Sequence, residues 1–229
     1  LLRGVFVTGT DTGVGKTVVC ATFMHRYRRL QTVCDTGSAM LRYWKPVQTG
    51  IERDDDTREV HRLGGCGPRE LLKDGIRLQR PLSPNVAARL SGVTIDTQTL
   101  LAMLEVQPPA NRWIVEGAGG VLVPLNESHL MIDFMVRLAL PVVVVARTRL
   151  GTINHTLLTL EALAARALAV PGVVMVGGRN PETRRAIEAF GRVPVIGELP
   201  RFDPLTSRAL ARWAGSELDT DGRLLEWLR

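Results

Sequence analysis

The chain has 229 residues, 45% of them hydrophobic and 5% aromatic, and a net charge of +6, a globular composition long enough to bury a sizeable core without disulfide or metal staples. No apolar run approaches the roughly 18 residues of a membrane span, and the first residues lead directly into a strand, which predicts no export leader, no membrane partner and a cytoplasmic protein. Of the 29 basic residues only Lys16, Lys45 and Lys73 are lysine; the arginines are scattered and few aromatics interleave with them, which argues against a nucleic-acid surface.

In chain order, Gly4–Thr8 reads as a buried strand ending at Gly9. Lys16 to about Arg29 has helical apolar spacing and a basic last turn. Asp35–Ser38 is a predicted turn and Met40–Trp44 a second strand. Asp56–Leu63 reads as a helix stopped by Gly64-Gly65. A loop at Pro81–Pro84 precedes a short helix, and Asp96 caps another that runs to about Glu105. Trp113–Val115 is a strand leading into Glu116-Gly117-Ala118-Gly119-Gly120. Leu138–Ala146, the longest apolar run, suits a buried strand, with Pro141–Ala146 nearly all β-branched. A helix over 152–168, a strand over 172–176, a helix over 181–190 and a strand over 193–197 precede a C-terminal helical region. Strands alternate with helices and several are apolar throughout, so the expectation is one doubly wound α/β domain over 1–229, with a mostly parallel sheet. Cys20, Cys34 and Cys66 form no CxxC pair, which predicts reduced thiols and no zinc site.

Gly9-Thr10-Asp11-Thr12-Gly13-Val14-Gly15-Lys16-Thr17 joins the first strand to the first helix. Backbone N–H groups of such a turn and the helix N-terminus favour phosphate. Lys16 would reach the β- and γ-phosphates and Thr17 would ligate Mg²⁺. Five residues separate the first Gly from Gly15-Lys16 instead of the usual four. A dinucleotide-binding turn is rejected, because it needs no Lys-Thr and does need an acid about 20 residues on. Mg²⁺ takes oxygen ligands; Glu116, at a strand end, is one source, and the Asp54-Asp55-Asp56 run is either another or a solvated helix cap. Lys45, in a chain that nearly always uses Arg, suggests a compact ammonium aimed at an anion.

GTDTGVGKT (9–17), KPVQTG (45–50), DDD (54–56), VEGAGG (115–120) and LGTINH (150–155) occur together in this order, and over nearly the whole chain they resemble the dethiobiotin synthetase family, the extra loop residue included. The resemblance implies a P-loop fold and small-molecule substrates: 7,8-diaminononanoate, CO₂ and ATP. A carbamate would attack the γ-phosphate, and the second amine would then close the ring on the carbamic–phosphoric anhydride. It further implies catalytic roles for Lys16, Lys45 and Thr12, with Thr49 helping to position carbamate and γ-phosphate. Nucleotide would be bound by Gly13, Val14, Gly15, Lys16, Thr17, Glu116 and Gly119, and by Gly197, Leu199 and Pro200 near the last strand. Thr17, Asp56 and Glu116 would hold Mg²⁺. Gly119 would flank the diamine, and Thr152, Ile153 and Asn154 would bind the substrate carboxylate across a homodimer interface. The adenine-reading Asn of some members has no aligned counterpart, since Asn180 comes late after Val174–Gly178. The rival class is a P-loop ATPase switch of the partition or septum-positioning type. Such switches carry a further lysine early in the loop, where this chain has Thr10 and Asp11, and lack the KPVQTG and LGTINH pair.

Overall fold

The computed structural model describes residues 2–28 and 39–228. Seven strands form one parallel sheet: β1 (Arg3–Gly9), β2 (Leu41–Trp44), β4 (Leu71–Leu72), β6 (Arg112–Gly120), β7 (Val142–Arg147), β8 (Gly172–Val176) and β9 (Val195–Leu199). They lie in the order β4-β2-β6-β1-β7-β8-β9, and β3 (Val47–Thr49) and β5 (Ile76–Leu78) pair separately. Chain order reverses at β1, which sits between β6 and β7, and in such sheets a ligand crevice opens at the carboxyl ends of the strands flanking the reversal.

Strand alternation builds two cores. Phe6, Trp44, Val115 and Val144 point to one face and meet Ala87 of α3 (Pro84–Leu90), Leu100 of α4 (Thr97–Glu105), Phe134 of α5 (Met131–Leu138), Leu160 of α6 (Thr152–Ala164) and Ile187 of α7 (Pro181–Gly191). Val5, Val7, Tyr43, Ile114 and Val143 point to the other. There they meet Phe23 of α1 (Lys16–Tyr27), Val60 of α2 (Asp56–Gly64), Trp213 of α8 (Ser207–Ser216) and Leu228 of α9 (Leu225–Leu228). Helices on both faces explain why the strands read as unbroken apolar runs. Among the described residues no helix is long and apolar enough to cross a membrane.

Several boundaries differ from the sequence reading. The run from Leu138 spans two elements: Leu138 ends α5, which sequence reading missed, and the Ala139 amide bonds back to Met135 O before β7 starts at Val142. The spacing of Met131, Phe134, Met135 and Leu138, all buried, is the helical signal that was available. Helix α6 stops at Ala164, not 168. Ala167 takes a left-handed conformation and the Leu168 amide bonds to Leu163 O, a C-terminal cap made without the glycine that would have marked it. The last strand lies two residues later than expected. The small strands β3, β4 and β5 carry too few residues for a period. The turn read at Asp35–Ser38 and Cys34 lie outside the described residues; Cys20 and Cys66 are buried free thiols.

Side chains and a loop occupy one margin of the sheet. On β9 the Val195 amide donates to Glu188 Oε1 (3.0 Å), the Arg184 guanidinium donates to Val195 O (3.1 Å), and the Asp219 amide donates to Ile196 O (2.7 Å). At the opposite margin β4 is only two residues long.

Gly4 gives a test of the sheet interior. It has φ +142, and a Cβ there would lie 2.1 Å from the backbone oxygen of Trp113 on the neighbouring strand. Gly4→Ala is expected to lower unfolding free energy by about 3 kcal/mol, through strain and overlap that no flexible side chain can absorb. Urea denaturation monitored by tryptophan fluorescence would read it.

Candidate active site

The loop after β1 wraps tightly into α1. Gly15, at φ +104, forms the helix N-cap with no capping side chain, and no acidic residue occupies the first turn, so the leading amides stay available to an anion. A Cβ on Gly15 would press on Val176 at 3.1 Å, so the end of β8 packs directly beneath the loop. Lys16 Nζ reaches back to Asp11 O at 2.9 Å. Burial first, and the Lys45 charge second, lower its ammonium to about 8. Asp11 in turn accepts from the Thr12 amide (2.7 Å) and pairs with Arg147, at the end of β7, at 3.3 Å.

Two carboxylates, a hydroxyl and an ammonium meet beside the loop. Thr17 Oγ1 lies 2.8 Å from Asp56 Oδ1 and 3.0 Å from Glu116 Oε1. Lys45 Nζ lies 2.7 Å from Asp56 Oδ2, 2.8 Å from Glu116 Oε1 and 3.0 Å from Gly117 O. Lys45 is 3% exposed and Glu116 1%, so these contacts act at low dielectric. Burial alone would lower the Lys45 ammonium, but Glu116 and then Asp56 reverse this and hold it well above its usual range. For Asp56, burial pulls upward, yet Lys45 and the Thr17 hydroxyl keep it below the ordinary carboxylate range. Glu116 stays above that range, because burial outweighs Lys45. The Tyr43 phenol, pushed far up by burial and then by Glu116, donates to Glu116 Oε2 at 2.8 Å.

The acidic run divides its labour. Asp55 caps α2 by accepting from the Arg58 amide at 3.0 Å, while Asp56, the first helical residue, turns to Lys45 and Thr17. Gln48 ties this corner together: its amide nitrogen donates to Thr49 O and Asp54 O, and its oxygen accepts from the Asp56 amide. Sequence reading missed Gln48, Tyr43 and Arg147. Tyr43 was within reach, because it lies two residues before Lys45, which directly follows the strand, and so shares its face.

The other expected residues fall into three groups. Val14 is buried and Gly13 lies in the loop at φ +68, while Thr12 is exposed, its hydroxyl 3.7 Å from the position a Gly119 Cβ would take. Leu199 pairs with Val176, the residue under Gly15, which sets it and Pro200 at the loop's edge; Gly197 faces the Trp213 ring and is packed in the sheet. Thr152 is buried at the start of α6 with its hydroxyl unpaired, Ile153 is half-buried, and Asn154 is exposed beside a fully exposed Leu150. Asn180 caps α7 by accepting from the Thr183 amide at 3.0 Å, which commits its side chain. A cleft of about 350 Å³ also opens along β9, but its lining includes none of Lys16, Thr17, Lys45, Asp56 and Glu116. Those five side chains converge elsewhere, beside the Gly9–Thr17 loop.

The model of an AAA domain matches residues 3–209. An ATP-dependent dethiobiotin synthetase of Rhodopseudomonas palustris is 45% identical over 96% of this chain and 96% of its own length. The chain belongs to the dethiobiotin synthetase family. Another member, from Paramagnetospirillum magneticum, is 45% identical over 92% of this chain and 94% of its own. Fold likeness extends further than the family: a ParA family ATPase from Chlorobium tepidum superposes with a TM-score of 0.55, covering 100% of this chain and 98% of its own at 11% identity. That likeness concerns the fold alone. Against the family background, the dethiobiotin synthetase motifs at 9–17, 45–50, 54–56 and 115–120 are the segments that supply the buried charge cluster.

Proposed function

We propose that this chain is an ATP-dependent dethiobiotin synthetase, closing the ureido ring of 7,8-diaminononanoate with CO₂ in biotin biosynthesis. The observation that carries the reading is the buried Lys45 ammonium, 2.7 and 2.8 Å from two acids that also share the Thr17 hydroxyl. It supports convergence of a second cation and an oxygen-donor set on the end of a triphosphate held by the Gly9–Thr17 loop.

The donors fit Mg²⁺. A hydroxyl and one oxygen from each of two carboxylates form a hard, all-oxygen set. Thr17, Asp56 and Glu116 would hold the ion, which when bound neutralises charge on the β- and γ-phosphates. The loop amides at Gly13, Val14 and Gly15, with Lys16, hold the phosphates. Lys45 stabilises the carbamate oxygen and the transferring phosphoryl group, with Thr12 and Thr49 orienting them. Gly119 brings backbone close to the diamine, and Leu199 and Pro200 border the nucleotide, with Gly197 packed within the strand that carries them to the loop. Catalysis is then positioning and preorganised charge.

In this proposal the protein works as a homodimer. The start of α6 lies at the same carboxyl edge of the sheet, with exposed Leu150 and Asn154 and the unpaired Thr152 hydroxyl. Those features support capture of the substrate carboxylate across a two-fold interface by Thr152, Ile153 and Asn154.

The test mixes protein, Mg-ATP, bicarbonate and diaminononanoate and follows the product by mass spectrometry. Dethiobiotin, with one phosphate released per ring closed, is the expected result. ATP hydrolysis stimulated by DNA or lipid with no ring product would favour the switch class instead.

A further inference from the structure

Glu116 has two oxygens, and β2 together with the residue that follows it supplies a partner for each. The strand register sets Tyr43 against Ile114 and Trp44 against Val115, which brings Lys45 alongside Glu116. Tyr43 and Lys45 are two residues apart, so both side chains stand on the face that Glu116 also uses. Lys45 takes Oε1 at 2.8 Å, and Tyr43, fully buried, reaches diagonally to Oε2 at 2.8 Å. Oε1 is also the oxygen that meets the Thr17 hydroxyl.

We propose that Tyr43 is a positioning residue of the reaction: its hydroxyl anchors the far oxygen of Glu116, so that the near oxygen stays turned toward Thr17 and Lys45. The role acts through Glu116 and rests on reading Thr17, Asp56 and Glu116 as the cation's ligands. A carboxylate 1% exposed cannot turn to solvent when it loses a partner. It rotates to find another hydrogen bond, because a buried charged acceptor left unpaired is costly. With the phenol gone, Lys45 and Thr17 at Oε1 and the buried Cys20 thiol beside the carboxylate are what remain to hold Glu116. A thiol is a weak donor and does not replace the phenol, so the carboxylate leaves the orientation that Thr17 and Lys45 share. Partners that fix a ligating carboxylate affect metal affinity as the ligands themselves do.

The test is Mn²⁺ affinity of the complex with a non-hydrolysable ATP analogue, measured by electron paramagnetic resonance alongside thermal melting. Tyr43→Phe keeps the ring and removes only the hydroxyl; Mn²⁺ should bind about tenfold more weakly. Tyr27→Phe is the structural control. Tyr27 is also a buried tyrosine, donating to Asp219 at 2.7 Å from the far end of α1, and its loss should lower the melting temperature and leave Mn²⁺ affinity unchanged. Unchanged affinity in Tyr43→Phe, where Thr17→Ala does weaken Mn²⁺, would overturn the Tyr43 role alone. Unchanged affinity in Thr17→Ala as well would overturn the cation site and this role with it. Should Tyr43→Phe not fold, 3-fluorotyrosine at position 43 preserves shape and hydroxyl. Its ¹⁹F resonance should shift when Mg²⁺ joins the analogue complex, and a resonance that stays in place overturns the proposal.

Discussion

Lys45→Ala is expected to cut dethiobiotin formation on the order of a thousandfold, the cost of removing one preorganised charge from a water-excluded site. It should also destabilise the protein by about 3–5 kcal/mol, because its removal leaves Glu116 buried beside Asp56 without the ammonium that compensates both. Lys45→Arg separates the two effects. The guanidinium keeps the charge but not the compact, three-donor ammonium, so much of the stability should return while turnover stays low. Single-turnover phosphate release and urea unfolding read the two quantities independently. Near-normal turnover in Lys45→Ala would remove the role assigned to it.

Lys16→Met should abolish turnover to a similar degree, with the opposite effect on stability. The two lysines sit in the same site but in opposed surroundings. Folding favours the charged form of Lys45, whose acids are in contact; it disfavours the charged form of Lys16, whose folded value of about 8 lies below its ordinary 10.5 through burial and the neighbouring ammonium. A lowered folded value means the penalty is fully present below about pH 8, fades as pH rises toward 10.5, and is gone above it. At neutral pH it amounts to about 3 kcal/mol. Methionine keeps the apolar stem and discards the charge, so the nucleotide-free variant should be more stable than wild type at pH 7, and the difference should vanish near pH 10.5. Added Mg-ATP should stabilise wild type and leave the variant unmoved, because the triphosphate is what repays the buried charge. Melting curves across pH, with and without nucleotide, would decide it; a variant less stable than wild type at neutral pH would contradict the account.

Much of this convergence of charged side chains is readable from the sequence. The loop glycines followed by Lys16 and Thr17 announce a phosphate cradle, and the rarity of lysine drew attention to Lys45. Residue pattern alone left Asp54, Asp55 and Asp56 undivided, and only the family resemblance singled out Asp56, because which acid caps a helix and which turns inward depends on where the chain enters α2. Tyr43 and Gln48 were not found because each acts by holding something else, and a holding contact depends on strand register and loop path more than on local pattern. Boundary errors have similar causes: Ala139 and Ala167 adopt left-handed turns without glycine, and Leu138 closes a helix although the apolar run it opens leads into a strand.

The treatment of β9 bears on how copies of this chain can come together. A sheet margin with idle amides and carbonyls invites a foreign strand to dock and extend it. Here Glu188, Arg184 and the Asp219 amide already engage the outward groups of Val195 and Ile196, and the opposite rim at β4 offers too short a segment to template pairing. Any assembly of this chain would thereby be channelled away from backbone zippering and toward helix and loop surfaces.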